Sequence, residues 1–377
     1  MAHEVHLVGS VPLADAETVF TTVAAALGPA IKRIPDGETG ERLSWIGWLG
    51  PVFAALPQLE LSDDVWRVHE AASAHRLYRL KPGAKAADIR IDKLPYGDFA
   101  LQSYATFKRL RDAGKIPPGT KFQVDFAPAH SAARSHIAES LLPEMEPIFN
   151  EAIMREIDRI AAAIPHRDLA FQFDAASAVF NILQTGNFGR HGKTKDGAAA
   201  NFTAILAALG NRVPADVDLL YHFCYGDNNH RHSVEPADMG DMVDMANRLT
   251  RAVKRPIQLI HMPVPRDRSD DAYFASLEDL KLAPQTQIAL GLVHLTGGMD
   301  GIRRRMATAR RHLGAFAIAT ECGFGRRQPE TIAELLRLHA EAAKLDAQSL
   351  AALQDQCGHE VSVYSETLQA VGAAMPQ

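Results

Sequence analysis

Short apolar runs recur along this chain, each followed by a polar loop and then by a longer stretch with helical spacing. The runs are VHLVG (5–9), KRIPD (32–36), KFQVDF (121–126), LAFQFD (169–174), DLLYHFC (218–224), IQLIHM (257–262), IALGLVH (288–294) and FAIATEC (316–322). Most are nearly continuous in apolar residues, as expected of strands covered on both faces of a parallel sheet. Between them lie helical periods. Ile153, Ile157, Ile160 and Ile164 repeat at helical spacing, which predicts that Glu156, Asp158 and Arg159 face solvent. Pro329 suits the first turn of a helix whose buried stripe is Ile332, Leu335 and Leu336.

Eight strands alternating with helices predict an α/β fold, a (β/α)8 TIM barrel forming a single domain over residues 1–377. An open doubly wound sheet is the alternative, but no G-x-G-x-x-G follows an early strand. Residues 43–120 are too long for one strand-to-helix connection and hold the turn-rich segment LKPGAKAADIRIDKLPYGD. That region is expected to be a helical insertion or lid after the second strand.

In such barrels the chemistry sits at the C-terminal strand ends. Here those ends carry Ser10, Asp36 with Glu38, His130, Asp174, His222 with Cys224, His261, His294, and Glu321 with Cys322. His222 and Cys224 are two apart on one strand, so their side chains share a face. With Cys322, which lies far along the chain, they would give zinc three S/N ligands and leave a position for substrate. His261, ending the sixth strand, either completes the set or is a core histidine bonded to backbone. His230 and His232 in DNNHRH are rival ligands in a loop polar enough to be solvated. Asp174 reads equally as a substrate or acid/base carboxylate and as a helix N-cap. His294 and His130 are the candidate proton carriers, and the two arginines of GFGRRQPE precede a helix start where an anion could bind.

Composition narrows the function more than it defines it. A formal net charge of −5 offers no basic field for nucleic acid or anionic lipid. No run reaches the ~18 apolar residues of a membrane span, and MAHEVHLVGSVPL lacks a signal peptide's basic and apolar regions. Three cysteines, Cys224, Cys322 and Cys357, suggest a reducing compartment, and Cys357 reads as structural. A cytoplasmic enzyme with a small-molecule partner is expected, and a homo-oligomer is allowed.

Taken in order, LVGSVP (7–12), FQFDAA (171–176), HFC (222–224) and ECGFGRR (321–327) resemble the catalytic barrel of cobalamin-independent methionine synthase. The resemblance implies zinc held by His222, Cys224 and Cys322, and an amino-acid substrate held by Ser10, Glu38 and Asp174. It also has departures. His261 stands where that family has a glutamate ligand, and His294 and Thr296 replace its D-I-H run. FDAA lacks its glutamate and proline, and the chain is too short for an additional N-terminal half-barrel. The expected activity is therefore zinc-dependent methyl or alkyl transfer to a small thiol, without folate-dependent methionine synthesis. A metal-dependent lyase or hydrolase and a metal-free decarboxylase like uroporphyrinogen decarboxylase are the alternatives.

Overall fold

The computed structural model describes residues 3–67, 75–226, 231–232 and 234–345. Cys357 and His230 lie outside these residues. The strands are β1 (Arg33–Pro35), β2 (Leu59–Trp66), β3 (His75–Leu80), β4 (Lys121–Phe126), β5 (Leu169–Ala175), β6 (Asp218–Phe223), β7 (Leu259–Pro263), β8 (Gln287–Val293) and β9 (Ala317–Thr320). Seven of them form one curled, all-parallel sheet in the order β1-β4-β5-β6-β7-β8-β9. Helices on its outer face supply the crossovers, among them Leu142–Ala163, Lys195–Arg212, Gly240–Ala252 and Gly298–His312.

The expected first strand is shorter than its apolar pattern. Val5 makes single parallel bridges to Ile31 on one side and Ile318 on the other. His6 N–H donates to Ile318 O, and Ile318 N–H donates to Glu4 O. Residues 4–6 thus join the two edges of the sheet, where an eighth strand would stand.

Alternation along these strands sorts the interior into levels. Ala170, Leu220, Leu259, Ala289 and Ala317 form a small apolar cluster of their own, apart from the large core under the helices. Two residues further along come buried polar groups: Gln172, His222 and His261. Two further again stand Asp174 on β5 and Cys224 just past β6, while β4 adds Gln123 and Asp125. The sheet encloses an apolar floor, a polar middle and a reactive rim.

Two expectations change here. Glu156 does not face solvent; it is 2% exposed and accepts Leu94 N–H (3.1 Å) and Gly97 N–H (2.9 Å). A Cβ at position 97 would lie 2.4 Å from Glu156 Oε2, so this contact requires glycine. Within 43–120, Tyr96–Asp112 is a long helix packed beside Ala16–Leu27 and Leu142–Ala163, as an ordinary crossover helix would be. The extra element is the antiparallel hairpin β2–β3, tied down by Tyr78 N–H to His136 O and Ala138 N–H to Tyr78 O. Among the described residues, no helix is long and apolar enough to cross a membrane.

Candidate metal and substrate site

A cavity of about 350 Å³ opens at the C-terminal ends of the strands. Two kinds of wall line it, meeting where Asp174 and His222 are register partners on adjacent strands. One carries His222, Cys224 and Cys322, and the other carries Glu38, Asp125 and Asp174.

On the first wall, Cys224 Sγ lies 3.7 Å from Cys322 Sγ, and Cys322 Sγ lies 3.9 Å from His222 Nε2. All three potential ligand atoms fall within 4.8 Å of one another. Tetrahedral zinc with Zn–S bonds of about 2.3 Å sets its sulfurs about 3.8 Å apart. The sulfur spacing matches such an ion, and the imidazole would close in by a fraction of an ångström to about 1 Å to join it.

His222 is aimed by a second histidine. The Thr320 carbonyl can only accept, so His261 donates to it from Nε2 (2.9 Å) and leaves its Nδ1 as an acceptor. His222 then donates Nδ1–H to His261 Nδ1 (2.7 Å), and its Nε2 lone pair points at the sulfurs. Burial holds His261 down to about 4, and burial with His261 and His6 nearby holds His222 well below its usual value. Both rings are neutral, the form a metal ligand needs. This places His261 behind His222, with both its nitrogens engaged by protein atoms. Of the two readings of His261, these bonds match the core histidine bonded to backbone, with the ring at the middle level of the sheet, below the rim.

The carboxylate wall is built differently. Glu38 sits in a left-handed backbone conformation (φ 47°), in a turn where its N–H donates to Asp36 Oδ1 (2.9 Å). Asp36 is itself committed to Arg42 (2.7 Å) and Ser103 (2.6 Å). Asp174 Oδ1 accepts from Gln172 Nε2 (3.0 Å), and Asp125 Oδ1 accepts from Gln123 Nε2 (2.9 Å). Gly9 passes so close that a Cβ there would lie 3.1 Å from Asp125 Oδ2 and 3.6 Å from Glu38 Oε2. Burial, then repulsion from Asp174, pushes Glu38 up to about 8. Burial pushes Asp174 up to about 7, against the Gln172 hydrogen bond, and raises Asp125 well above the ordinary range. Three carboxyls crowded this way share protons, or they hold a cation.

Other expected residues fall elsewhere. Ser10 borders the cavity and its Oγ accepts from Gly325 N–H (3.3 Å). His294 does not border it; its Nε2 serves Val264 O (2.9 Å) and Gly291 O (3.1 Å), and burial lowers it to about 3. His130 is buried edge-on to Phe202, outside the cavity lining, and burial lowers it to about 3. His232 pairs with Glu321 and with Glu235 (2.9 Å) and does not join the thiols. Asp125 was missed by sequence reasoning, although its alternation with Gln123 in KFQVDF was the available signal. Trp66, Arg67 and His75, brought to the cavity by the β2–β3 hairpin, gave no signal at all.

No protein-family model matches the chain, and no curated protein matches it. Solved structures do. A B12-independent methionine synthase from Shewanella sp. W3-18-1, in complex with selenomethionine, superposes with TM-score 0.58 at 11% identity, covering 95% of this chain and 99% of that one. A Listeria monocytogenes protein assigned as a vitamin-B12-independent methionine synthase gives 0.55 at 14%, covering 91% and 98%. A methyltransferase from Methanosarcina mazei gives 0.50 at 13%, covering 91% and 93%. The resemblance carried by four short motifs is thus matched across nearly the whole chain at the level of the backbone, and in fold this protein is methionine synthase-like.

Proposed function

We propose that this chain is a zinc-dependent methyl- or alkyltransferase whose nucleophile is the thiol of a small, amine-bearing substrate. The observation that carries the reading is the pairing of a His222–Cys224–Cys322 triangle with three buried carboxyls in one cavity. The backbone likeness to methionine synthase-like structures and a methyltransferase supports it. So does the selenomethionine held by the Shewanella protein, an amino acid with a chalcogen side chain. The curled sheet, joined edge to edge through residues 4–6, supports a closed (β/α)8 reading, with the β2–β3 hairpin as the insertion over the mouth.

Two thiolates and a neutral imidazole suit zinc best among common metals. A zinc ion held there would lower the substrate thiol's pKa, so that a thiolate exists at neutral pH. The chain's own residues do the rest. Glu38, Asp125 and Asp174 bind the substrate ammonium and thereby fix the sulfur's distance from the other wall. Ser10 and the loop it braces at Gly325 bound the substrate's remaining polar end. The thiol proton is released on binding, the sulfur lone pair forms the new bond to the alkyl carbon, and the donor leaves with the electrons of its former bond. His294 and His130 are not given a part, since neither ring borders the cavity.

The test is metal content of the purified chain together with product formation from a panel of aminothiols. About one zinc per chain is expected, with S-methylation of homocysteine or a smaller aminothiol by a methyl corrinoid and little by methyltetrahydrofolate. Thiol-independent hydrolysis by the zinc protein would move the reading to a metal-dependent hydrolase. A metal-free protein that binds carboxylic acids and releases carbon dioxide would move it to a decarboxylase.

A further inference from the structure

A second chamber, about 220 Å³, lies beside the first, and nothing in the proposed reaction uses it. It is formed by the loops that follow β7, β8 and β9, which contribute Arg266, Thr296, and Arg327 with Gln328 and Thr331. The two chambers share a wall, the segment from Glu321 to Arg327. Cys322 faces the first chamber while Glu321 faces the second, and Arg326 faces the first while Arg327 faces the second. The RR pair of ECGFGRR therefore supplies one guanidinium to each.

Two arginines at the second chamber, Arg327 lining it and Arg305 beyond it, carry guanidinium nitrogens without a hydrogen-bond partner. Arg327 makes no ion pair among the described residues, and its Nε is buried without a partner. Directly behind lies Arg305, 3% exposed, donating from Nε to Leu292 O (2.9 Å) and from Nη1 to Arg266 O (2.9 Å). Its Nη2 is also without a partner, and it forms no ion pair among the described residues. The one carboxylate lining the chamber, Glu321, is already paired with His232. A guanidinium buried as deeply as Arg305 is ordinarily paired, and the partly buried Arg327 is the one that presents its open donor to the chamber. The short 3-10 turn Pro329–Thr331 leads directly into the helix Ile332–Ala342, and the N–H groups of Thr331 and Ile332 are already engaged by Gln328 O and Pro329 O, so the donors of this chamber are side chains.

We propose that this chamber is a phosphate subsite, taking either free orthophosphate or the phosphoryl group of a larger molecule. Guanidinium, hydroxyl and side-chain amide donors together suit a tetrahedral oxyanion with several acceptors better than a planar carboxylate. Loops after the last strands of a barrel are also where phosphate is most often held. The assignment is independent of the metal reading.

The experiment is a calorimetric titration of the full chain with orthophosphate, methyl phosphate and glutarate. Saturable one-site binding of a phosphate is expected, weakened at least tenfold by Arg327→Ala. Thr296→Glu, an exposed substitution that leaves the core untouched, should weaken it by a similar factor through repulsion. Cys224→Ser should leave it unchanged, which separates this proposal from the metal site. Binding of orthophosphate alone identifies the free ion as the ligand, and equal or tighter binding of methyl phosphate identifies an ester. The proposal is overturned if neither phosphate binds, if Arg327→Ala and Thr296→Glu both bind as the parent does, or if glutarate binds as tightly as phosphate.

Discussion

The two walls of the main cavity are finished to different degrees. The thiol wall is organised in advance: each nitrogen of the His222–His261 pair has a settled role, and the sulfurs already stand at tetrahedral spacing. The acid wall is electrostatically unsettled, because three buried carboxyls repel one another and are held partly protonated. On the proposed function, the contrast separates a resident partner from a transient one. A site shaped before its ion is present suits a resident metal, whereas a site relieved only by a cation suits a substrate that comes and goes.

Removing the thiols should break this comparison most completely. The Cys224→Ser/Cys322→Ser double substitution is expected to abolish metal content by mass spectrometry while circular dichroism shows the fold retained. Retention of a full metal complement would refute the site. Next in size is the acid wall. Glu38→Gln combined with Asp174→Asn should weaken aminothiol binding about 100-fold, as expected for two charge-assisted hydrogen bonds, and leave metal content intact. A uniform loss of both would show that the walls are not separate functions.

His261→Ala should cost about 10–100-fold in metal affinity, the range for a residue that orients a ligand. The cobalt-substituted protein gives the sharper readout. Loss of His261 should alter the ligand-field bands through a misplaced His222, while the sulfur-to-cobalt charge transfer persists. Unchanged bands and affinity would remove His261 from any positioning role.

The smallest effect concerns pH. Asp125 has a folded pKa above its unfolded value of about 4. The stability this contributes is complete below that value and is lost as pH rises through the folded pKa. Asp125→Asn should therefore raise the melting temperature of the metal-free protein by about 2 °C at pH 8, with the gain shrinking toward pH 5. A gain that grows as pH falls would contradict the raised pKa.

Much of the fold was legible because parallel strands buried on both faces leave continuous apolar runs, as LAFQFD shows. The thiol wall was legible for a related reason: H-F-C places two ligands on one face, and strand order brings Cys322 to them. His261 was left between two readings because periodicity gives a residue's face but not its height in the sheet. Its register partner is His222, not Cys224. Glu156 was misjudged because a helix stripe cannot reveal that the bare N–H groups of Leu94 and Gly97 wait on the supposed solvent side. The hairpin was invisible because its residues reach the cavity through contacts with residues 136–138, which no local pattern encodes.

The joining of the sheet's edges has a consequence for synthesis. The segment that bridges them is made long before one of its two partners: His3 and Phe316, hydrogen-bonded through Nδ1 and O, are 313 residues apart. Pairing at such separation is slow and follows the local contacts. A growing chain therefore carries residues 4–6 unmatched on that side until Ile318 has left the ribosome. Cys322 emerges only just after that residue, so its sulfur reaches His222 and Cys224 as the two edges of the sheet are joined. On the proposed zinc reading, the nascent chain offers an ion only the weak pair His222 and Cys224 until that moment.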